Sequence, residues 1–187
     1  LNGYAMGGGL EIAIRCHRML ATRNALLQFP EITLGILPGI GGCVVPYRRW
    51  PEAAALFHDM ICLARPLKAA EAAERGIVSR LADDYADLIA KAMEEVHALQ
   101  GNLPRIEDGK MDLPLPAIPD APTAAGQPLS REAVAITVKT IQAAAAAAKL
   151  TDALEIGYRG FGEIACTAAA REGISAFLEK RRPVFEK

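Results

Sequence analysis

Two carboxylates stand where apolar residues would be expected. Glu11 lies two residues past the triplet Gly7-Gly8-Gly9, between Leu10 and Ile12. Glu31 follows Pro30 within the otherwise apolar stretch Leu26–Ile36. A glycine turn that enters a helix leaves backbone N–H groups without intrahelical acceptors, at the positive end of the helix dipole. Such donors suit an oxygen that becomes negative during a reaction, and losing one typically costs about 2.7–4 kcal/mol of transition-state stabilisation. Glycine lets a substrate carbonyl approach the backbone closely. A carboxylate beside it, with its pKa raised toward neutrality by burial, can move a proton. Acids set among apolar neighbours break the local pattern, as residues at functional sites do.

Structural readings stand beside the catalytic one. The triplet can be only a turn, Glu11 can pair with Arg15 one helical turn away, and Glu31 can cap a turn. Other chemistries find no motif. The sequence has no G-x-G-x-x-G and no Walker phosphate loop. His17, His58 and His97 have no partners at metal or triad spacing, which predicts no metal site and core or surface roles. Ser79, Ser130 and Ser175 lie in no nucleophile elbow. Cys43 follows Gly41-Gly42 near a helix start, where a thiol can be reactive, but a buried thiol is the expectation.

The elements that must position these acids are short. Leu1–Ala5 reads as the end of a strand, Met6–Gly9 as a turn and Leu10–Cys16 as a short buried helix. Met19–Ala21 and Leu26–Phe29 read as strands, the second ended by Pro30. A second glycine-rich loop, Gly35 to Gly42, is punctuated by Pro38. Helices are expected at Gly42–Trp50, Pro51–Cys62 and Leu67–Arg75, the last stopped by Gly76, and a strand at Ile77–Leu81. From Asp84 to Leu99, the residues Leu88, Ile89, Ala92, Met93, Val96 and Leu99 recur at helical spacing. Ser130 can cap a helix to about Leu150, Thr151 one to about Ala165, and a last helix spans Ala169–Lys180. Ala143–Ala148 is expected to be ordered helix, and Glu179–Arg182 a solvated helix end.

Composition sets the bounds. The chain has 187 residues, 51% of them hydrophobic and 23% charged, so it can bury a core without staples. Half of its 16 glycines fall by Gly42, and half of its 12 prolines between Pro104 and Pro128. This divides the chain into an α/β part, 1–82, and a helical part, 83–187, with a Pro-rich linker over 101–129. A formal net charge of −1 points to no nucleic acid and no anionic membrane partner. Cys16, Cys43, Cys62 and Cys166 form no Cys-x-x-Cys pair and read as reduced, buried thiols of a cytoplasmic protein. The start at Leu1-Asn2-Gly3, without Met or a capping signal, reads as mid-element and predicts a piece of a longer protein.

The ordered motifs carry a family likeness. Asn2-Gly3-Tyr4-Ala5-Met6-Gly7-Gly8-Gly9-Leu10-Glu11 and Pro30-Glu31-Ile32-Thr33-Leu34-Gly35-Ile36-Leu37-Pro38-Gly39-Ile40-Gly41-Gly42 resemble the crotonase (enoyl-CoA hydratase/isomerase) superfamily. Arg65-Pro66-Leu67, Gly76-Ile77-Val78 and the tail Arg171–Arg181 are similar to it too. The likeness spans most of the chain except the linker. It implies an α/β fold, the C-terminal part of a crotonase-like ββα spiral followed by a helical region, assembled as a homo-oligomer, a trimer or a hexamer. It implies an acyl-CoA substrate and no cofactor, coenzyme A being part of the substrate. By motif position Gly8 matches an oxyanion-hole glycine. Glu11 and Glu31 match the two glutamates that activate water and deliver the α-proton, and Gly7, Gly9, Pro38 and Gly39 match substrate-binding positions.

Both acids together favour hydration of a 2-enoyl-CoA to a 3-hydroxyacyl-CoA in fatty-acid or related acyl-CoA degradation. Alternatives are Δ3–Δ2 enoyl-CoA isomerisation, for which one acid suffices, and a non-catalytic assembly piece. The family's first half, with the second oxyanion N–H, would precede Leu1, so residues 1–187 alone are expected to be inactive. The linker and tail also resemble crotonase parts fused behind a 3-hydroxyacyl-CoA dehydrogenase. The sequence departs from the pattern at His17 (usually Asp), Cys43 (Thr), Val45 (Arg) and Ala64 (Gly).

Overall fold

A computed structural model describes residues 1–185. Short strands form two small sheets near the start of the chain. β1 (Tyr4–Met6) pairs in parallel with β3 (Leu26–Gln28), in the register Tyr4↔Leu26, Ala5↔Leu27 and Met6↔Gln28. β2 (Leu20–Thr22) pairs in parallel with β5 (Arg80–Ala82). A parallel pair needs a crossover, and α1 (Gly8–Ala13) supplies the one between β1 and β3. β4 (Leu67–Lys68) closes the first sheet antiparallel to β3.

Helices build the rest. α2 (Val45–Arg49), α3 (Ala54–Cys62) and α4 (Ala69–Glu74) precede β5. α5 (Tyr85–Leu99) follows it, capped by Asp84, whose side chain accepts the Asp87 amide at 2.9 Å. After the linker come α6 (Arg131–Ala146), α7 (Leu150–Ala165) and α8 (Ala168–Leu178). Ser130 caps α6 by accepting the Ala133 amide at 3.2 Å, and Thr167 caps α8 through the Ala170 amide at 3.1 Å. One apolar core joins the early elements to the late ones: Leu27, Phe29, Ile32, Phe57 and Leu67 are continuous with Val134, Ile141 and Ile164.

Several expectations need correction. The helix expected at Leu67–Arg75 begins only at Ala69, because Leu67 and Lys68 are drawn into the ladder with β3. The strand expected at Ile77–Leu81 is Arg80–Ala82. Ile77 and Val78 form a buried turn, and pairing with β2 sets where the strand starts. Thr151 does not cap α7, which starts one residue earlier. The Leu150 amide donates instead to Asp108 Oδ1 at 2.7 Å. Cys43 and Cys62 are buried, but Cys16 and Cys166 are exposed.

The linker is more structured than an extended connection. Thr123–Ala124 and Gln127–Pro128 form a small hairpin around Ala125 and Gly126, both at positive φ, as a two-residue hairpin turn requires. The linker is also tied to α6, since the Gly109 and Met111 amides donate to the carbonyls of Ala148 and Ala145. No helix among the described residues is long and apolar enough to cross a membrane.

Candidate active site

The site begins where β1 ends. The Gly7 amide continues the ladder by donating to the Gln28 carbonyl at 3.0 Å. The chain then turns sharply into α1, with Gly7 at φ 53° and ψ −130°, a conformation open only to glycine. Gly8 and Gly9 form the exposed first turn of α1. Their amides precede the first intrahelical acceptors, so they face outward as donors.

α1 inverts the usual rule of burial. Glu11 is 2% exposed, whereas its neighbour Ile12 is 64% exposed. A buried carboxylate needs partners, and the second glycine-rich loop provides them. The amides of Ile40 and Gly42 both donate to Glu11 Oε1 at 2.8 Å. Gly42 reaches this position because it lacks a side chain. A Cβ there would stand 2.5 Å from Pro38 Cβ and 3.2 Å from Glu11 Oε1. Arg15 makes no ion pair with Glu11; its guanidinium donates to the Tyr158 hydroxyl at 3.3 Å. Burial raises the Glu11 pKa against the opposing pull of the Gly42 and Ile40 amides and the Arg15 charge.

Glu31 opens a 3-10 turn, Glu31–Leu34, directly after Pro30. This turn is fixed from below by buried Ile32 and from outside by α8. The parallel β1–β3 ladder carries the chain back so that Glu31 comes beside Gly7. A Cβ on Gly7 would stand 3.0 Å from Glu31 Oε1. The other oxygen, Oε2, is buried and has no hydrogen-bond partner. Desolvation, with the Glu11 charge adding to it, pushes the Glu31 carboxyl up to about 7.

The structure thus brings Gly7, Gly8, Gly9, Glu11 and Glu31 to one place. Pro38 is buried and Gly39 half-buried in the loop that holds Glu11. The two acids differ in kind: one has an oxygen saturated by two amides, and the other has a bare oxygen and a pKa near neutrality. Such a difference between neighbouring carboxyls equips one to accept a proton and the other to give one. Beneath them, burial raises the Cys43 thiol well above its ordinary pKa, so it is an inert core group. His58 is buried, with Nδ1 3.7 Å from Cys62 Sγ. Among the described residues no group of three or more His, Cys, Asp or Glu is placed to hold a metal.

Sequence reasoning missed the loop amides of Ile40 and Gly42 as ligands of Glu11. The repeated glycines at 39, 41 and 42 were the available signal, since a backbone that must approach a carboxylate cannot carry side chains there.

Residues 1–106 match the family model described as enoyl-CoA hydratase/isomerase. The chain belongs to this family. A probable enoyl-CoA hydratase of Bacillus subtilis (strain 168) is 31% identical over 186 residues, covering 100% of this chain and 60% of that protein. The 2,3-dehydroadipyl-CoA hydratase of Escherichia coli (strain K12) is 32% identical over 186 residues, covering 100% of this chain and 61% of that protein. The crystal structure of an enoyl-CoA hydratase from Mycobacterium avium subsp. paratuberculosis K-10 superimposes with a TM-score of 0.60 at 26% identity, over 100% of this chain and 63% of that one. The chain therefore spans about three fifths of the length of the relatives it matches. The enoyl-CoA hydratase/isomerase match ends at residue 106, before the hairpin and helices α6 to α8, yet α7 packs on the loop that holds Glu11 and α8 on the turn that carries Glu31.

Proposed function

We propose that this chain carries the acid–base pair of an enoyl-CoA hydratase, which adds water across the double bond of a 2-enoyl-CoA to give a 3-hydroxyacyl-CoA. The observation that carries this reading is the unequal pair: Glu11 anchored by two amides, and Glu31 with a bare buried oxygen and a pKa of about 7.

In this reading the thioester carbonyl accepts the Gly8 amide, and Gly7 and Gly9 leave room for it to approach. Pro38 and Gly39 shape the substrate's edge of the loop. Glu11 is the base. Its Oε1 is occupied by the Ile40 and Gly42 amides, so its second oxygen takes a proton from water as the water oxygen bonds to C3. Electrons move through C2 to the thioester oxygen, where the Gly8 N–H stabilises the developing charge. Glu31, protonated near neutrality, gives its proton to C2. One water has been added, and a proton passed from Glu11 to Glu31 restores both groups. This reading calls on no cofactor.

The test is the hydration of crotonyl-CoA by the full-length gene product and its Glu11→Gln and Glu31→Gln variants. Each variant is expected to lose about 10²- to 10⁴-fold in kcat, the usual worth of a general acid or base. Full activity in either one overturns the assignment. An isomerase would tolerate loss of one of the acids, so the pair of variants separates the two reactions.

The same reading includes a division of labour near residue 82, with the acids in the first part and the packing helices in the second. It also includes self-association as a trimer or hexamer and a cytoplasmic location. A monomer by light scattering at micromolar concentration would remove the assembly part.

A further inference from the structure

The loop that holds Glu11 is itself held, from its far side, by a helix more than a hundred residues away. The Phe161 ring of α7 lies against Gly39 so closely that a Cβ there would stand 2.8 Å from Phe161 Cδ2 and 3.0 Å from Cε2. Arg15 covers Gly41, where a Cβ would stand 2.6 Å from Nη2, and that same Nη2 donates to the Tyr158 hydroxyl at 3.3 Å. One turn back from Phe161, Gly157 rests on Val44, 3.2 Å from a would-be Cβ to Val44 Cγ2. Phe161 follows Gly157 by four residues and Tyr158 by three, which places both on its face of α7. That face therefore meets residues 39 and 44 directly and residue 41 through Arg15, and these three bracket Ile40 and Gly42. The Ile40 and Gly42 amides are the ones that donate to Glu11 Oε1 at 2.8 Å.

We propose that the Tyr158–Phe161 face of α7 is a positioning element for Glu11, setting the Gly39–Gly42 loop in the arrangement that aims the Ile40 and Gly42 amides together at Oε1. Phe161 and Tyr158 touch no reacting atom in this proposal; they act through the loop. A flexible loop of glycines has many conformations, and only a few of them converge two N–H groups on one oxygen. The flat ring on Gly39 and the Arg15–Tyr158 contact over Gly41 remove the alternatives before substrate arrives, which is what pre-organisation of a catalytic group requires. The helix that does this lies outside the span matched by the family model, so the helical region would tune a site whose acids it does not contain. The role in turnover rests on Glu11 acting as the base, but the positioning itself can be measured without turnover.

Amide hydrogen exchange read residue by residue is that measurement. In Phe161→Ala, the Ile40 and Gly42 amides are expected to exchange about tenfold faster or more, while the amides of β3 keep their parent rates, as local opening rather than global unfolding predicts. Phe161→Leu, which keeps apolar bulk on Gly39, should restore most of the protection. In the hydration assay, Phe161→Ala should lower kcat by roughly ten- to a hundredfold, the cost of misplacing a catalytic group by about an ångström, with KM little changed. Unchanged protection of Ile40 and Gly42 overturns the proposal, and so does equal acceleration in β3. If Phe161→Ala fails to fold, Tyr158→Phe is read the same way, because it frees Arg15 and should speed exchange at Gly42. Altered exchange without any hydration in the parent protein would sink the enzymatic reading and leave the positioning intact.

Discussion

Gly7 has no Cβ, and Glu31 Oε1 lies 3.0 Å from where one would stand. The contact joins the end of one strand to the residue three past the end of its partner, and it leaves no room for a larger side chain. Gly7→Ala meets two penalties at once: a backbone at φ 53° and ψ −130° that an L side chain resists, and a methyl pressed on a carboxylate. The variant is expected to unfold about 1–3 kcal/mol more easily, the usual cost of a residue held in a sparsely populated backbone region. Urea unfolding measures the loss, and hydration should fall with it because Glu31 must move. An Ala variant as stable as the parent would show that the turn can relax without cost.

Stability should fall as pH rises from about 4.5 to about 7. A free glutamate titrates near 4.5, and Glu31 in the folded chain near 7. Between those values the native state keeps a proton that the unfolded chain has already released. Unfolding in this window therefore releases a proton, so raising the pH favours the unfolded chain, and the loss levels off above the folded value. The Glu31 contribution is roughly 3 kcal/mol, and Glu11, raised as well, adds in the same direction. Glu31→Gln has no charge to bury and should be more stable than the parent at pH 8, with a flatter profile. Urea midpoints at pH 5, 6, 7 and 8 decide the matter, and a parent protein whose midpoint rises over this range contradicts it.

α8 is seated on the turn that carries Glu31. A Cβ at Gly173 would overlap the Leu34 backbone carbonyl. That neighbour is backbone, so the helix itself has to shift. Gly173→Ala is expected to destabilise the chain by about 1–3 kcal/mol, as overpacking does. Alanine favours helices, so propensity alone predicts the opposite sign. A lower thermal midpoint establishes that contact with the turn outweighs propensity, and a higher one refutes the close seating.

Ala64, where the family pattern has glycine, sits at φ 52°. A left-handed backbone costs an L residue about 1–2 kcal/mol. Ala64→Gly relieves that strain, but gives up a buried methyl worth about 0.8 kcal/mol and adds freedom to the unfolded chain. The sum should be close to zero. Ala72→Gly in α4, equally buried and without strain to relieve, should cost about 1–2 kcal/mol, from helix propensity and the lost methyl together. Equal losses in the two variants would mean that the Ala64 backbone is not strained.

Both acids, the glycine turn and the helix cap at Ser130 were legible in the sequence because each is a local statement about a few neighbouring residues. What surrounds the acids was not. The match of Ile40 and Gly42 to Glu11 spans about thirty residues and is made by backbone, which leaves no side-chain signature. Phe161 and Tyr158 look like ordinary members of an amphipathic stripe. Periodicity also announced the apolar face of α5, and it could not say where that face points: Leu88 is buried, but Ile89, Met93 and Val96 are exposed. Leu67 and Lys68 left the expected helix because an unpaired strand edge needed them, a demand written in β3 and not in their own neighbourhood.

The β1–β3 ladder also works as a ruler. Met6 is level with Gln28, so Glu11 stands five residues past one end of the pair and Glu31 three past the other. The separation of the acids is thereby measured from a common mark, and the exposed turn at Arg15–Arg18 between the strands does not enter the measurement. Added residues would be felt very unequally. One inserted among Arg15–Arg18 lengthens a loop and leaves the ruler unread, whereas one inserted between Gln28 and Glu31 displaces the Glu31 carboxyl by a full residue while the fold around it still forms. The spacing of the two acids is therefore inherited from a register, and chain length matters to it only beyond the ends of the ladder.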